Sequence, residues 1–198
     1  MKIQIILGTT RQNRFSEKAA SYILQEAKNR HEFETELVDL RDYPMPFFDE
    51  PVSPKMFDMT HHAYTNEVVK KWLAKISEAD GYIIVIAEYN HGYPAVLKNA
   101  IDFGYKEWIK KSVGFVSYGN SGGARSVEQL RQVVIELDMI PIRTAIQIPF
   151  DVYMAVRNET VPVNPELFAP LRKGPVDRVE AFFTDLIWTT KALVAARK

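Results

Sequence analysis

Residues 81–103 read GYIIVIAEYNHGYPAVLKNAIDF. The first seven, Gly81 to Ala87, are almost wholly apolar and rich in β-branched side chains. That is the pattern of a short strand covered on both faces, as in a parallel sheet, not of a strand with one wet face. Glu88, Tyr89 and Asn90 leave the end of the run, and Gly92 marks a turn. Pro94 suits the first turn of a helix that runs through AVLKNAIDF. A buried strand that passes through a short polar loop into a helix is one repeat of an α/β fold.

The same grammar extends in both directions. KIQIILG (2–8), ETELVDL (34–40), SVGFVSY (112–118) and PIRTAIQI (141–148) are short, β-branched and bounded by turn formers, so each is expected to be a strand. Between them, apolar residues recur with a period near 3.6: Phe15, Ala19, Tyr22, Ile23 and Ala27; Val69, Trp72, Leu73 and Ile76; Val127, Leu130, Val133, Val134 and Leu137. Val176, Val179, Phe183, Leu186, Thr190 and Leu193 repeat the pattern in the tail. Strand and helix alternate five times, which predicts an open, doubly wound α/β sheet and is too few for an eight-stranded barrel. Ligands of such sheets bind outside the carboxyl ends of the strands, where strand order reverses, so the loops after strands one, three and four are the places to search. Two connections, 41–62 and 149–172, are rich in proline and exceed the roughly 12–15 residues usual for structureless loops, which predicts a functional or interfacial role.

Composition narrows the function classes. At 198 residues with 46% hydrophobic content, the chain is expected to form one domain over 1–198. Its 25 basic and 25 acidic residues cancel, so no whole-protein field calls for nucleic acid or an anionic membrane surface. The absence of cysteine removes thiol nucleophiles, thiolate metal sites and iron–sulfur clusters, so redox chemistry would need a bound cofactor. No stretch approaches the roughly 20 apolar residues of a membrane span, and the amino-terminal apolar run is too short for a signal peptide. A cytoplasmic location is the expectation.

Of nine glycines, five fall in the three loops of interest: Gly8, Gly92, Gly119, Gly122 and Gly123. Glycine lets backbone N–H groups approach a ligand unobstructed. Loop one, GTTRQNRFS (8–16), fits neither the nucleoside triphosphate loop nor the dinucleotide fingerprint. Its hydroxyls (Thr9, Thr10, Ser16), its arginines (Arg11, Arg14) and the helix start that follows make an anion site suited to a phosphate monoester. The alternative is a helix capped by Asn13 with both arginines solvated. Loop three offers Tyr89 to pack a planar ring and Asn90 to bond its polar edge.

Loop four, GNSGGARS (119–126), contains the Gly-x-Ser-x-Gly of a nucleophile elbow. The hydrolase chain order needs a histidine after the serine, yet His31, His61, His62 and His91 all precede Ser121. A Ser121 hydrolase built in another order stays as a minor alternative. Adjacent His61 and His62 have no carboxylate at a familiar metal spacing, so no metal site is expected.

GTTRQNRFS, EYNHGYPAVLKNAIDF and SYGNSGGARSVEQLR, in this order and spacing, resemble the NADPH-dependent FMN reductase family over about residues 1–150. The resemblance implies a flavodoxin-like fold, a three-layer doubly wound sheet of five parallel strands in the order 2-1-3-4-5. It implies FMN as cofactor, with Thr9, Arg11, Arg14, Phe15 and Ser16 around its phosphate, Glu88, Tyr89, Asn90, His91 and Gly92 along ribityl and ring, and Tyr118, Gly119, Asn120, Gly122 and Gly123 on the ring's other side. NADPH or NADH would donate hydride, and a small-molecule acceptor such as a quinone, free flavin, azo compound or oxidised metal would take the electrons. Family members are dimers or tetramers, so a homodimer or homotetramer is expected, with Tyr93, Phe103, Trp108 and Tyr153 as candidate cleft aromatics. Ala87 departs from the proline that the family shows before Glu-Tyr-Asn, which bears on the rigidity of that turn. Two other classes fit the fold: a flavodoxin-type electron carrier, disfavoured by Arg11, Arg14 and the zero net charge, and a flavin-free binding domain.

Overall fold

The computed structural model describes residues 1–197. Strands β1 (Lys2–Leu7), β2 (Glu34–Asp39), β3 (Gly81–Ala87) and β4 (Ser112–Tyr118) lie within a residue of the stretches that their apolar runs predict. All pair in parallel, in the order β2-β1-β3-β4 followed by the fifth strand position. This is the flavodoxin-like order.

β3 and β4 are buried at every residue because helices cover both faces. Successive side chains point to opposite faces, so Ile3, Ile5, Leu7, Ile83, Val85 and Val116 enter one core while Ile6, Tyr82, Ile84, Ile86, Val113 and Phe115 enter the other. The first core is closed by α1 (Ser16–Lys28), α6 (Phe150–Val156) and α7 (Arg178–Ala196). The second is closed by α3 (Glu67–Ser77), α4 (Ala95–Asp102) and α5 (Ala124–Glu136). Its large aromatic groups are satisfied internally: Trp72 Nε1 donates to Ala100 O at 2.8 Å, and Tyr64 Oη donates to Phe103 O at 2.6 Å.

Four expectations are corrected. The stretch 141–148 is not one strand but two short ones, β5 (Ile140–Pro141) and β6 (Ile146–Ile148), which pair with opposite ends of β4. Between them the chain is drawn off the ladder from both sides. Arg131 on α5 donates to Arg143 O at 2.8 Å, and the Thr144 hydroxyl bonds Asp185 on α7. The two long connections are not structureless. Residues 41–62 hold a 3₁₀ turn (Pro54–Met56) and α2 (Phe57–Thr60), and 149–172 hold α6 and a 3₁₀ segment (Pro165–Leu171) whose Phe168 is fully buried. Helix α7 starts after Val176, because Asp177 caps it by accepting from the amides of Val179 and Glu180, both at 3.0 Å. Phe103 and Trp108 do not line the cavity at the sheet edge; both are core residues, 2% and 1% exposed.

Helix α7 packs tightly on the sheet at Gly114, where a methyl group would lie 2.6 Å from Cε2 and Cζ of the Phe182 ring. Gly114→Ala therefore overpacks this core and is expected to cost about 1–3 kcal/mol. Urea unfolding checks it: the midpoint falls while the slope holds. An unchanged midpoint would mean that α7 sits more loosely on the sheet than these distances allow.

Candidate active site

Strands β1, β3 and β4 run the same way, with Leu7 opposite Val85 and Ala87 opposite Tyr118. The loops that follow them therefore emerge at one edge and enclose a cavity of about 830 Å³, within the range of small-molecule sites. Loop one contributes Arg11, Asn13, Arg14 and Phe15; loop three contributes Glu88 to His91; loop four contributes Tyr118 to Ser121 with Arg125. A fourth wall comes from Tyr153, Arg157 and Asn158, at α6 and just beyond it. Of the residues singled out in the loops, Gly8, Thr9, Thr10, Ser16, Gly92, Tyr93, Gly122 and Gly123 do not line the cavity.

Loop one is held from behind. The Gly8 amide donates to Val85 O at 2.9 Å, continuing the ladder past β1. Thr9 and Ser16 are fully buried and share a hydrogen bond of 2.6 Å between their hydroxyls, which ties the two ends of the loop together. Arg14 is buried rather than solvated, and its guanidinium is largely committed to protein oxygens. All three of its guanidinium nitrogens donate to protein oxygens: Nε to Glu17 at 3.1 Å, Nη1 to Thr9 O and to Asp39 at 2.9 Å, and Nη2 to Asp39. Arg41 clamps the outside of the loop by donating to Thr10 O at 3.3 Å, to Glu17 at 2.7 Å and to Arg11 O. Asn13 does not cap α1; it adopts φ 51° and lines the cavity. Arg11 is exposed, sits 5.6 Å from the centroid of the Tyr89 ring and makes no ion pair among the described residues.

Loops three and four are pinned to each other. Tyr89 and Gly92 exchange backbone hydrogen bonds at 2.8 and 3.0 Å across Asn90 (φ 51°) and His91 (φ 68°), a type I′ turn built without glycine at its centre. Gln129 on α5 secures it by donating to His91 O at 2.9 Å. The Glu88 carboxylate, 6% exposed, accepts from Arg125 Nη1 at 2.8 Å and from the Arg125 amide at 3.2 Å, so it caps α5 from across the gap. This pair holds the turn in which alanine replaces the family's proline. Gly123 (φ 77°) tolerates no side chain, since a Cβ would lie 2.7 Å from Ser117 Cβ and 2.8 Å from Tyr118 N.

The cavity floor is aromatic. The Phe15 ring lies 4.8 Å from both Tyr118 and Tyr153, and the two tyrosine rings are nearly parallel at 6.2 Å. Burial pushes the Tyr118 hydroxyl up to about 12, so it remains a neutral donor at ordinary pH. Ser121 has no base beside it: its Oγ has one polar side-chain neighbour, Arg125 Nη1 at 3.4 Å, and no histidine bonds it among the described residues. Nor do the described residues hold a cluster fit to bind a metal ion.

A family model described as NADPH-dependent FMN reductase matches residues 1–152. The chain belongs to the NADPH-dependent FMN reductase family. An NAD(P)H-dependent FMN reductase of Schizosaccharomyces pombe is 39% identical over 153 residues, covering 76% of this chain and 74% of its own. An FMN-dependent NADPH-azoreductase of Staphylococcus haemolyticus is 27% identical over 92% of this chain and 95% of its own. The structure of RosB with a bound riboflavin-phosphate intermediate superposes with a TM-score of 0.67 over 98% of this chain and 81% of that one, at 14% identity, and shows the common fold. In this FMN reductase family member, Asn13 and Arg125 lie inside stretches already marked by their glycines and hydroxyls. Tyr153, expected as a cleft aromatic, does line the cavity, whereas Arg157 and Asn158 lie beyond the matched residues, where no motif signals them.

The Arg14–Asp39 pair yields a pH-dependent test. Burial works against ionisation of Asp39, but the Arg14 guanidinium outweighs it and holds the carboxyl below its ordinary range. A carboxyl with a depressed folded pKa stabilises the protein above its unfolded value, about 4, and loses that contribution as pH falls through the folded value. Asp39→Asn strands a buried guanidinium and is expected to cost about 3 kcal/mol at pH 7. Denaturant unfolding from pH 8 to 3 should show a constant difference from wild type down to about pH 4, then a shrinking one. A difference at pH 3 as large as that at pH 7 would remove the charge from the explanation.

Proposed function

We propose that this cavity is the FMN site of an FMN-dependent NAD(P)H oxidoreductase, with loop one around the cofactor's phosphate and loops three and four along its ring. The reaction class follows from family membership: the chain is an FMN-dependent NAD(P)H oxidoreductase. The observation that carries the assignment of the site is the convergence of loops from β1, β3 and β4 on one cavity of about 830 Å³.

The residues present fit the group on three counts. Arg11 offers a guanidinium uncompensated by any carboxylate, which suits a phosphate. Asn90, His91 and Gly119 turn through positive φ and line the cavity, where polar groups can meet a flat polar edge. Tyr89, at the foot of the type I′ turn, supplies an aromatic wall.

FMN, when bound, supplies the hydride and electron transfer between NAD(P)H and the acceptor. The chain's own residues bind and orient. The Arg14–Asp39 pair and Arg41 fix loop one, the Glu88–Arg125 pair locks loop three to loop four, and Tyr118 holds its proton. No side-chain acid or base is assigned a catalytic role. The acceptor is a small oxidant such as a quinone or an azo compound, a range supported by the quinone reductase and azoreductases among its relatives. The chain works in the cytoplasm, which fits a reaction drawing on NAD(P)H, and as at least a homodimer. Phe47 and Met59, 79% and 74% exposed on the 41–62 connection, support a partner there.

The direct test is colour and binding. The purified protein should be yellow, or should quench added FMN fluorescence when stripped of flavin, and should oxidise NADPH with an acceptor present. Arg11→Ala should weaken FMN by about ten- to hundredfold through loss of one charge-assisted bond while leaving riboflavin affinity in place. Colourless protein that quenches nothing would end the proposal, and unchanged FMN affinity would take Arg11 out of the site. Sedimentation at micromolar concentration should give a dimer or larger; a monomer refutes the assembly.

A further inference from the structure

Four arginines line the cavity: Arg11, Arg14, Arg125 and Arg157. Two are neutralised at short range, Arg14 by Asp39 and Arg125 by Glu88. The carboxylate that lines the cavity, Glu88, is therefore already spent. Arg11 and Arg157 make no ion pair among the described residues, so two positive charges face a space with no negative charge left to meet them. The reading proposed above uses one of them. Arg157 is unassigned, and it lies past residue 152, where the family match ends.

Arg157 is also well placed. It follows the last turn of α6, and its amide donates to Tyr153 O at 2.9 Å. Helix α6 is seated by Val152 and Val156, both buried in the core, and by Tyr153, whose ring packs on Phe15 at 4.8 Å. The 3₁₀ segment Pro165–Leu171 backs it with Phe168 and Leu171. The backbone that carries Arg157 is thus anchored, while the guanidinium itself is exposed and uncommitted. Asn158 beside it adds an amide donor to the same wall.

We infer that Arg157, with Asn158, forms a phosphate-monoester subsite on the α6 side of the cavity, separate from Arg11 on loop one. The inference rests on the reading of the cavity as the FMN site. An uncompensated, planar, permanently charged fork beside amide donors is the chemistry that recognises a phosphate dianion. FMN's one phosphate is assigned to loop one, so the phosphate monoester left for this subsite is the 2′-phosphate of NADPH. NADH is the matched donor that lacks it.

That difference supplies the experiment. FMN and riboflavin dissociation constants are measured by flavin fluorescence quenching, and those of 2′-AMP and 5′-AMP by competition with NADPH on the holoenzyme, for wild type, Arg157→Ala and Arg157→Lys. Arg157→Ala should weaken 2′-AMP by about ten- to hundredfold and leave 5′-AMP, FMN and riboflavin within a factor of two, with Arg157→Lys recovering part of the loss. An unchanged 2′-AMP constant overturns the inference, as does selective loss of FMN, which would move the cofactor's phosphate to this wall, and as does equal weakening of 2′-AMP and 5′-AMP, which would mark lost packing instead. Should wild type bind neither flavin, it is the cavity's assignment that fails.

Discussion

Parallel alignment of β1, β3 and β4 is the constraint from which the rest of this molecule follows. Strands covered on both faces must spend every backbone donor and acceptor on their neighbours, so their carboxyl ends fall together and their loops leave at one edge. Beyond the last paired residues the backbone needs new partners. It finds them in side chains from other segments: Ser126 donates to Ala87 O at 3.1 Å, Ser117 to Gly122 O at 2.7 Å and Gln129 to His91 O at 2.9 Å. The cavity is the space left when the loops are satisfied in this way, which makes it preformed.

Charge is divided between scaffold and ligand. A buried ion pair contributes little net stability but is costly to break, so it fixes geometry more than it adds free energy. Arg14 with Asp39 joins loop one to the end of β2 in this way, and the more exposed pair of Arg125 with Glu88 joins the start of loop three to the end of loop four. The cations left over, on loop one and beyond α6, have no such duty. The lining of the cavity carries more positive than negative charge although the chain as a whole is neutral.

Much of this was legible in the sequence, for identifiable reasons. β3 and β4 run as predicted because strands covered on both faces are almost uniformly apolar. The three loops stand out through glycines and hydroxyls that sit where the backbone bends. What escaped depends on contacts distant in sequence. Nothing near Arg14 announces Asp39, 25 residues away, as its partner, so the pair is not legible locally. The break in 141–148 is imposed by Arg131 and Asp185 from two helices, overriding a good local strand pattern. Helix α6 spans only seven residues, too few for its apolar spacing to repeat, so the fourth wall reads as loop. Phe103 and Trp108 illustrate the opposite error, since aromatic residues beside a suspected cleft look functional until their burial is known.

The central claim is that segments far apart in the chain form one FMN cradle at the sheet edge. Hydrogen–deuterium exchange with and without saturating FMN tests it most directly, because amides sealed by a ligand exchange more slowly in place. The account requires new protection concentrated in residues 9–16, 88–92 and 118–123. Protection concentrated instead around the separate cavity lined by Phe57, Tyr64 and Tyr105, on the other side of the sheet, would contradict it.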